Sequence, residues 1–326
     1  MSKNKLWGLL TIIFFTLLVL PNTAGAADKI ELKLFKSKAK TSPQLAQPQT
    51  YQKSGMEFGL RLLGGGTYFL MQNDINDHLQ GLNDKYNDDP SSSADSEFEL
   101  INMGMDFSGE VFINFTPNIG IGIGAGYISA GKETSVEVFH DGMFGSIESL
   151  TYYPKFSAIP ITFSLYFGIP LGSMVDVVLH GGAGYYLGTV NWEYTEESDG
   201  FMISSEEEGT WSAESNALGF HGGINFEFGF TRNFAFVIGA KGRYAKLTDL
   251  TGDLEWEGYH SWFGSLSGTE EDQTLWFGTY ETFSGEEYPR MDFSEDKPTE
   301  WWWSDVRKAE INLSGVVFQA GFKITF

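Results

Sequence analysis

The residues with chemistry to offer are ionisable groups scattered through otherwise apolar stretches. They are Glu57, Arg61, Asp106, Glu110, Asp176, His180, His221, Glu227, Lys241, Arg243 and Lys323. Five carboxylates, four firm bases and two imidazoles could relay protons, hold a metal or pair as ions. Each chemistry has a spacing it requires. Nucleophilic hydrolysis needs a nucleophile with its base in reach, as in G-x-S-x-G, and zinc hydrolysis needs H-E-x-x-H. Neither motif is present, and there is no phosphate-binding loop. His260 and Ser261 are adjacent, so in a strand they would point to opposite faces. His78 and His140 stand in segments with no paired motif. No Asp-x-Asp-x-Asp-Gly order marks a calcium loop. The chain is therefore expected to be no enzyme, with no catalytic, cofactor-binding or metal residues and no cofactor. Charges inside a protein must be paired or hydrated. The eleven groups are expected to form an interior ion-pair network.

The elements that must position them read as strands. From Ile101 to Phe115 the odd positions are mostly large and apolar, whereas the even ones include Asn102, Asp106, Ser108, Glu110 and Asn114. That is a period of two. Similar stretches span Met56–Leu70, Ile119–Ser129, Phe156–Gly168, Val175–Tyr194, Leu218–Phe230, Asn233–Leu247 and Ile311–Phe326. Eight strands result. The connections at 116–118, 170–174 and 231–232 are short, and those at 71–99, 130–155, 195–217 and 248–310 are long. Short and long ends alternate. No stretch after the first twenty residues is apolar for eighteen, which excludes a helical membrane span there. The expected fold is all-β: a closed antiparallel up-and-down transmembrane barrel of eight strands, or ten if a hairpin of the last loop joins the wall. Register inferred from the short turns puts His221 near Lys241 and Arg243, and Tyr166 near Asp176. It separates His180 from His221 by several levels. Gly120, Gly122, Gly124 and Gly126 would leave room on one inner wall for a long side chain such as Glu110.

Residues 1–27 have the form of a secretory signal peptide. Lys3 and Lys5 precede an apolar run, and Ala24-Gly25-Ala26-Ala27 ends it. Residues 28–54, with six lysines and two acidic residues, are expected to be a flexible periplasmic arm. The barrel would occupy 55–326, with a long external loop at 248–310. The 326 residues carry a formal charge of −22 with no cysteine, which argues against general nucleic-acid binding. Most of the acid lies in two segments. Residues 193–214 hold eight acids and no base, and 250–305 hold fourteen acids against Arg290 and Lys297. Trp301-Trp302-Trp303 would belong to an aromatic belt at the outer interface.

The chain ends Phe318-Gln319-Ala320-Gly321-Phe322-Lys323-Ile324-Thr325-Phe326. An alternating final strand closed by Phe resembles the C-terminal strand that bacterial outer-membrane barrels present to their assembly machinery. The Thr116-Pro117-Asn118 turn into Ile119–Tyr127 resembles the hairpins of small eight-stranded barrels of the outer membrane protein W, outer membrane protein X and opacity type. The resemblance covers about 55–326, and the last loop is longer than such barrels usually carry. It implies an outer-membrane location in a Gram-negative bacterium with both termini periplasmic. It also implies contact with outer-membrane lipids and lipopolysaccharide, and recognition of Phe326 by the barrel assembly machinery. Two functions compete: a structural or surface-interaction role through acidic external loops, where an external ligand or protein would bind, and a narrow transporter or binding pocket for small hydrophobic solutes.

Overall fold

A computed structural model describes residues 56–70, 73–88, 92–141, 145–200, 204–282 and 285–326. Among the described residues there are one helix, α1 (Asp74–Asp88), and sixteen strands. The first eight strands are β1 (Glu57–Phe69), β2 (Ser92–Ala94), β3 (Met103–Asn114), β4 (Ile119–Gly131), β5 (Thr134–His140), β6 (Ser146–Pro170), β7 (Val175–Gly200) and β8 (Ser204–Thr231). The second eight are β9 (Phe234–Tyr244), β10 (Lys246–Leu247), β11 (Thr251–His260), β12 (Gly264–Glu281), β13 (Glu287–Ser294), β14 (Trp303–Lys308), β15 (Ile311–Asn312) and β16 (Gly315–Thr325). Fourteen strands share one sheet, and β10 and β15 pair separately.

The expected eight-stranded, or ten-stranded, barrel with long external loops is corrected by this count. The segments assigned to loops carry α1 and six further strands of the same sheet. Eight strands of the sheet pair in a cycle. β1 pairs β3, followed by β4, β6, β7, β8, β9 and β16, and β16 pairs back to β1. The other six continue from two members of that ring: β5 and β2 follow β6, while β11, β12, β13 and β14 follow β8. Every one of these pairings is antiparallel.

The three long ring members explain how one sheet does both. β6, β7 and β8 have 25, 26 and 28 residues, against 11–13 in the other five ring strands. At about 3.3 Å per residue this is roughly 80–90 Å against about 40 Å. The surplus projects past the ring and carries the extension.

Polarity inverts along these long strands. On β6, Ile159, Ile161, Phe163, Leu165 and Phe167 are exposed on the outer face, while Thr162, Ser164 and Tyr166 face inward. Toward the N-terminal end of the same strand, Leu150, Tyr152, Phe156 and Ala158 are buried and Thr151, Tyr153, Lys155 and Ser157 face out. The apolar phase changes between Ala158 and Ile159. β7 does the same: Leu179, Tyr185 and Leu187 are exposed, and beyond them Val190 and Trp192 are buried.

The buried apolar side chains gather at the extended end. Phe69, Ile128, Phe156, Val190, Trp192, Leu250 and Leu313 form a core into which α1 inserts Ile75, Leu79 and Tyr86. Asn73 caps the helix, accepting the Asn76 N–H at 2.9 Å, and Asp74 and Asp77 stand in the positive first turn. Gly188 fits because Leu247 occupies the space its Cβ would need. Trp303 begins β14 and pairs with Tyr280 of β12, so the tryptophan run belongs to the extension, not to a belt around the ring.

Candidate functional site

The polar layer lies inside the ring, on the side of the core nearer the short turns. Arg61 on β1 donates to Glu110 on β3 at 2.8 Å and to Glu227 on β8 at 2.9 Å. Lys323 on β16 donates to the other oxygen of Glu227 at 2.6 Å. Arg243 on β9 donates to Asp106 on β3 at 2.5 Å, and Lys241 reaches the same carboxylate at 3.4 Å. Tyr166 donates to Glu110, and the Arg61 guanidinium lies over the Tyr166 ring at 4.4 Å. Gly122 makes room for this layer, since a Cβ there would stand 2.5 Å from the Glu110 carboxyl carbon.

Register sets which groups meet. Arg61 stands opposite both Glu110 and Lys323, and His221 opposite Arg243. Tyr166 faces His180, not Asp176 as expected. His180 and His221 are not separated by several levels. They stand opposite Gly223 and Gly182, with ring centroids 6.2 Å apart. His221 shares a 3.0 Å hydrogen bond with Ser164. Glu57 and Asp176 line a larger cavity of about 490 Å³ near the short turns, whose inner end is formed by Arg61, Tyr166, Glu227 and Lys323. A second cavity of about 50 Å³ lies deeper, between Arg61, Asp106, His180, His221, Lys241 and Arg243.

The extension is held by groups that sequence reasoning missed. Asn76 and Asn83 on α1 each make a two-point clamp on the backbone of 98–101. Asn76 donates to the Ile101 carbonyl at 3.0 Å and accepts its N–H at 2.8 Å; Asn83 does so for Phe98 at 3.0 and 2.6 Å. Arg307 grips Asp74 with two bonds of 2.7 Å. His78 accepts the Met291 N–H at 3.1 Å and lies edge-on to Trp192. Burial, with the charges of Arg290 and Lys85, pushes its pKa down to about 3. The signal for α1 was Ile75, Leu79, Leu82 and Tyr86, spaced four, three and four after a capping Asn.

The acidic stretches 193–199 and 204–214 are paired parts of β7 and β8. Glu196 stands opposite Glu207, Glu197 opposite Glu206, and Glu208 opposite Glu257 of β11. Burial and the charges of Glu148 and Glu207 raise the Glu196 pKa, against the hydrogen bond from Tyr152. The hydrogen bond and charge of Glu257 raise that of Glu208.

This geometry corrects the functional expectations. A structural or surface-interaction role through acidic external loops loses its loops, because the acids sit on paired strands. A transporter or pocket for small hydrophobic solutes loses its passage. The interior is occupied by ion pairs in one layer and by a packed apolar core in the other. The outer-membrane location with periplasmic termini, and the lipid, lipopolysaccharide and assembly-machinery partners, were drawn from an eight-stranded barrel following a leader. The fourteen-stranded sheet replaces that architecture. The leader (1–27) and arm (28–54) lie outside the described residues. Phe326 itself is tied to β1, its N–H donating to Phe58 at 2.9 Å and its ring stacked on that of Phe58.

No family model matches the chain. No curated protein matches it either. Among solved structures, a major outer membrane protein from Thermus thermophilus aligns with a TM-score of 0.36 and 13% identity, over 83% of this chain and 99% of that one. The likeness is weak and is to a bacterial outer-membrane protein fold in general, not to the small eight-stranded class.

Proposed function

We propose that the chain is a non-enzymatic amphiphilic scaffold, related through its ring to the small outer-membrane barrels of the W, X and opacity type. In this reading its outward apolar face works while covered by an apolar phase. The observation that carries the reading is the exposed surface of the ring. Large apolar side chains stand exposed on all eight members, among them Phe58, Val111, Ile123, Phe163, Leu179, Phe226, Ile238 and Phe318. A water-soluble monomer rarely exposes a contiguous apolar patch beyond a few hundred Å². The interior carboxylates Asp106, Glu110 and Glu227 each accept from a cation, which leaves them poorly placed to act as bases. Purification with and without detergent micelles tests the reading. The expected result is a monodisperse particle only in micelles, with a bound-detergent mass. A monodisperse, detergent-free particle in plain buffer would contradict it.

A further inference from the structure

We propose that two copies of the chain associate along one free strand edge. Gly264–Glu270 of β12 would lie antiparallel to the same residues of a second copy, with Ser267 on the two-fold axis. On one side this run pairs with residues 254–260 of β11. On its other side no strand pairs with it among the described residues, since β13 and β14 engage β12 only from Thr274 onward. Ser265, Leu266, Ser267, Thr269 and Glu270 are exposed. An unpaired edge presents backbone N–H and C=O groups that template pairing with another chain, and proteins blunt such edges with charge, proline, bulges or a covering element. The other edges of this sheet are treated in that way. α1 covers β13, where His78 accepts the Met291 N–H. Asp95 bonds Glu137 of β5 through both its backbone and its side chain. β2 is three residues long. β14 is irregular at Asp305, where φ is 51°, and carries Arg307 and Lys308. Gly264–Thr269 has no charge, no proline and no bulge.

The occupant follows from what each residue of the edge would meet. With Ser267 opposite itself, Glu270 meets Gly264, so no acid faces another. A parallel pairing in register would instead set Glu270, Glu271 and Asp272 against their own copies. Leu266, 57% exposed, meets Gly268 of the second copy, where the Trp256 indole fills the space a Cβ would need. Large therefore meets small on that face, and the leucine gains an apolar neighbour. On the other face Ser265 meets Thr269 and Ser267 meets Ser267, pairs that can share hydrogen bonds. The segment is complementary to itself in charge, size and polarity, as an isologous contact requires. Its ladder is bounded on both ends. The turn closed by Phe263 N–H on the His260 carbonyl stops it at the tip, and the bulge with Asp272 at φ 57° stops it after Glu270. Pairing uses up the edge, so the assembly closes at two copies. The inference concerns the extension alone and holds whatever covers the ring.

Sedimentation equilibrium of the full chain in density-matched micelles is expected to show a concentration-dependent mass of two chains. The register is tested by cross-linking, which the absence of cysteine makes clean. Opposed residues of an antiparallel pair have Cα atoms about 4.5–5.5 Å apart, a gap a disulfide spans. Ser267→Cys is expected to give a disulfide-linked dimer on mild oxidation, several-fold faster than Thr210→Cys, an exposed position of β8 away from the edge. Ser265→Cys and Thr269→Cys are expected to cross-link when mixed and not when alone. Ser267→Lys sets two like charges on the axis and is expected to raise the dissociation constant several-fold. If one variant fails to fold, the mass of the unaltered chain and the remaining cross-links decide. A single-chain mass at every concentration would overturn the proposal. So would cross-linking of Ser267→Cys no faster than that of Thr210→Cys, or a dimer that Ser267→Lys leaves as tight as before.

Discussion

The two interiors of this molecule are built on the same strands and obey opposite rules. Near the short turns the ring is polar inside and apolar outside. At the extended end it is apolar inside and polar outside, as in a protein dissolved in water. The change falls between Ala158 and Ile159 on β6 and near Leu187 on β7, where the outward face passes to Thr189. A strand has two faces, and its hydrogen bonds are indifferent to which is apolar. One continuous ladder can thus serve two surroundings if the phase of its side chains changes once. In the polar layer the fit is one of charge. In the core it is one of shape.

Substitutions that preserve shape or preserve charge separate the two. Glu227→Gln keeps the shape and removes the charge, leaving Arg61 and Lys323 short of a counter-ion. It is expected to cost about 3–5 kcal/mol in unfolding free energy, the usual range for breaking a buried pair on one side. In the core, Leu79→Met keeps volume, and chemical denaturation is expected to register a cost under about 1.5 kcal/mol. Leu79→Ala is expected to cost about 2–5 kcal/mol, because it leaves a cavity. Should Glu227→Gln be as mild as Leu79→Met, the distinction between a charge-fitted and a shape-fitted layer fails. Asn83→Ala, which strands the Phe98 N–H and carbonyl, is expected to cost about 1–3 kcal/mol. Its effect should concentrate in hydrogen exchange of α1 and residues 98–101.

The smallest effects are those of pH, and they run in opposite directions within the extension. The His78 pKa falls to about 3 on folding. The unfolded chain therefore binds the proton more readily. The contribution of His78 is complete above about pH 6.5 and is lost as pH falls toward 3. Glu196 and Glu208 have raised values, so their folded forms hold protons better. Their contribution favours folding in acid and is lost as pH rises through those raised values. On mild acidification, amide protection relative to the intrinsic exchange rate is expected to fall at α1 and to rise along the paired parts of β7 and β8 beyond Thr195. Protection changing in the same direction at both places would contradict the assignment.

Much of the ring was legible in the sequence because its two faces differ so strongly. In 101–115 the charged residues Asp106 and Glu110 fall on even positions among apolar odd ones, and the structure places β3 over nearly the same span. The rest was hidden for physical reasons. The sequence places a strand start at Phe156, whereas β6 begins ten residues earlier at Ser146. The phase change at Ala158 imitates a boundary, because alternation breaks wherever the apolar face switches sides. The stretches 193–199 and 204–214 carry acids on both faces, so they show no alternation although they are paired. With no alternation to set it, the register of β7 on β8 differs from the expected one, and with it the distance between His180 and His221. The helix α1 is hard to see in the sequence because polar residues outnumber the four-residue apolar stripe that seats it.

Spin labels placed along β6 test the inverted phase most directly. The chain has no cysteine, so each single substitution carries one label. Labels at Tyr153, Lys155, Phe163 and Leu165 all point outward, two on each side of the change. In detergent micelles, relaxation by oxygen reports an apolar surrounding and relaxation by a water-soluble nickel complex reports a polar one. Labels at Phe163 and Leu165 are expected to respond to oxygen, and labels at Tyr153 and Lys155 to nickel, with the crossover between Ala158 and Ile159. Nickel access equal at all four positions would show that the outward face meets one solvent throughout, and the two-surroundings reading of the ring would be wrong.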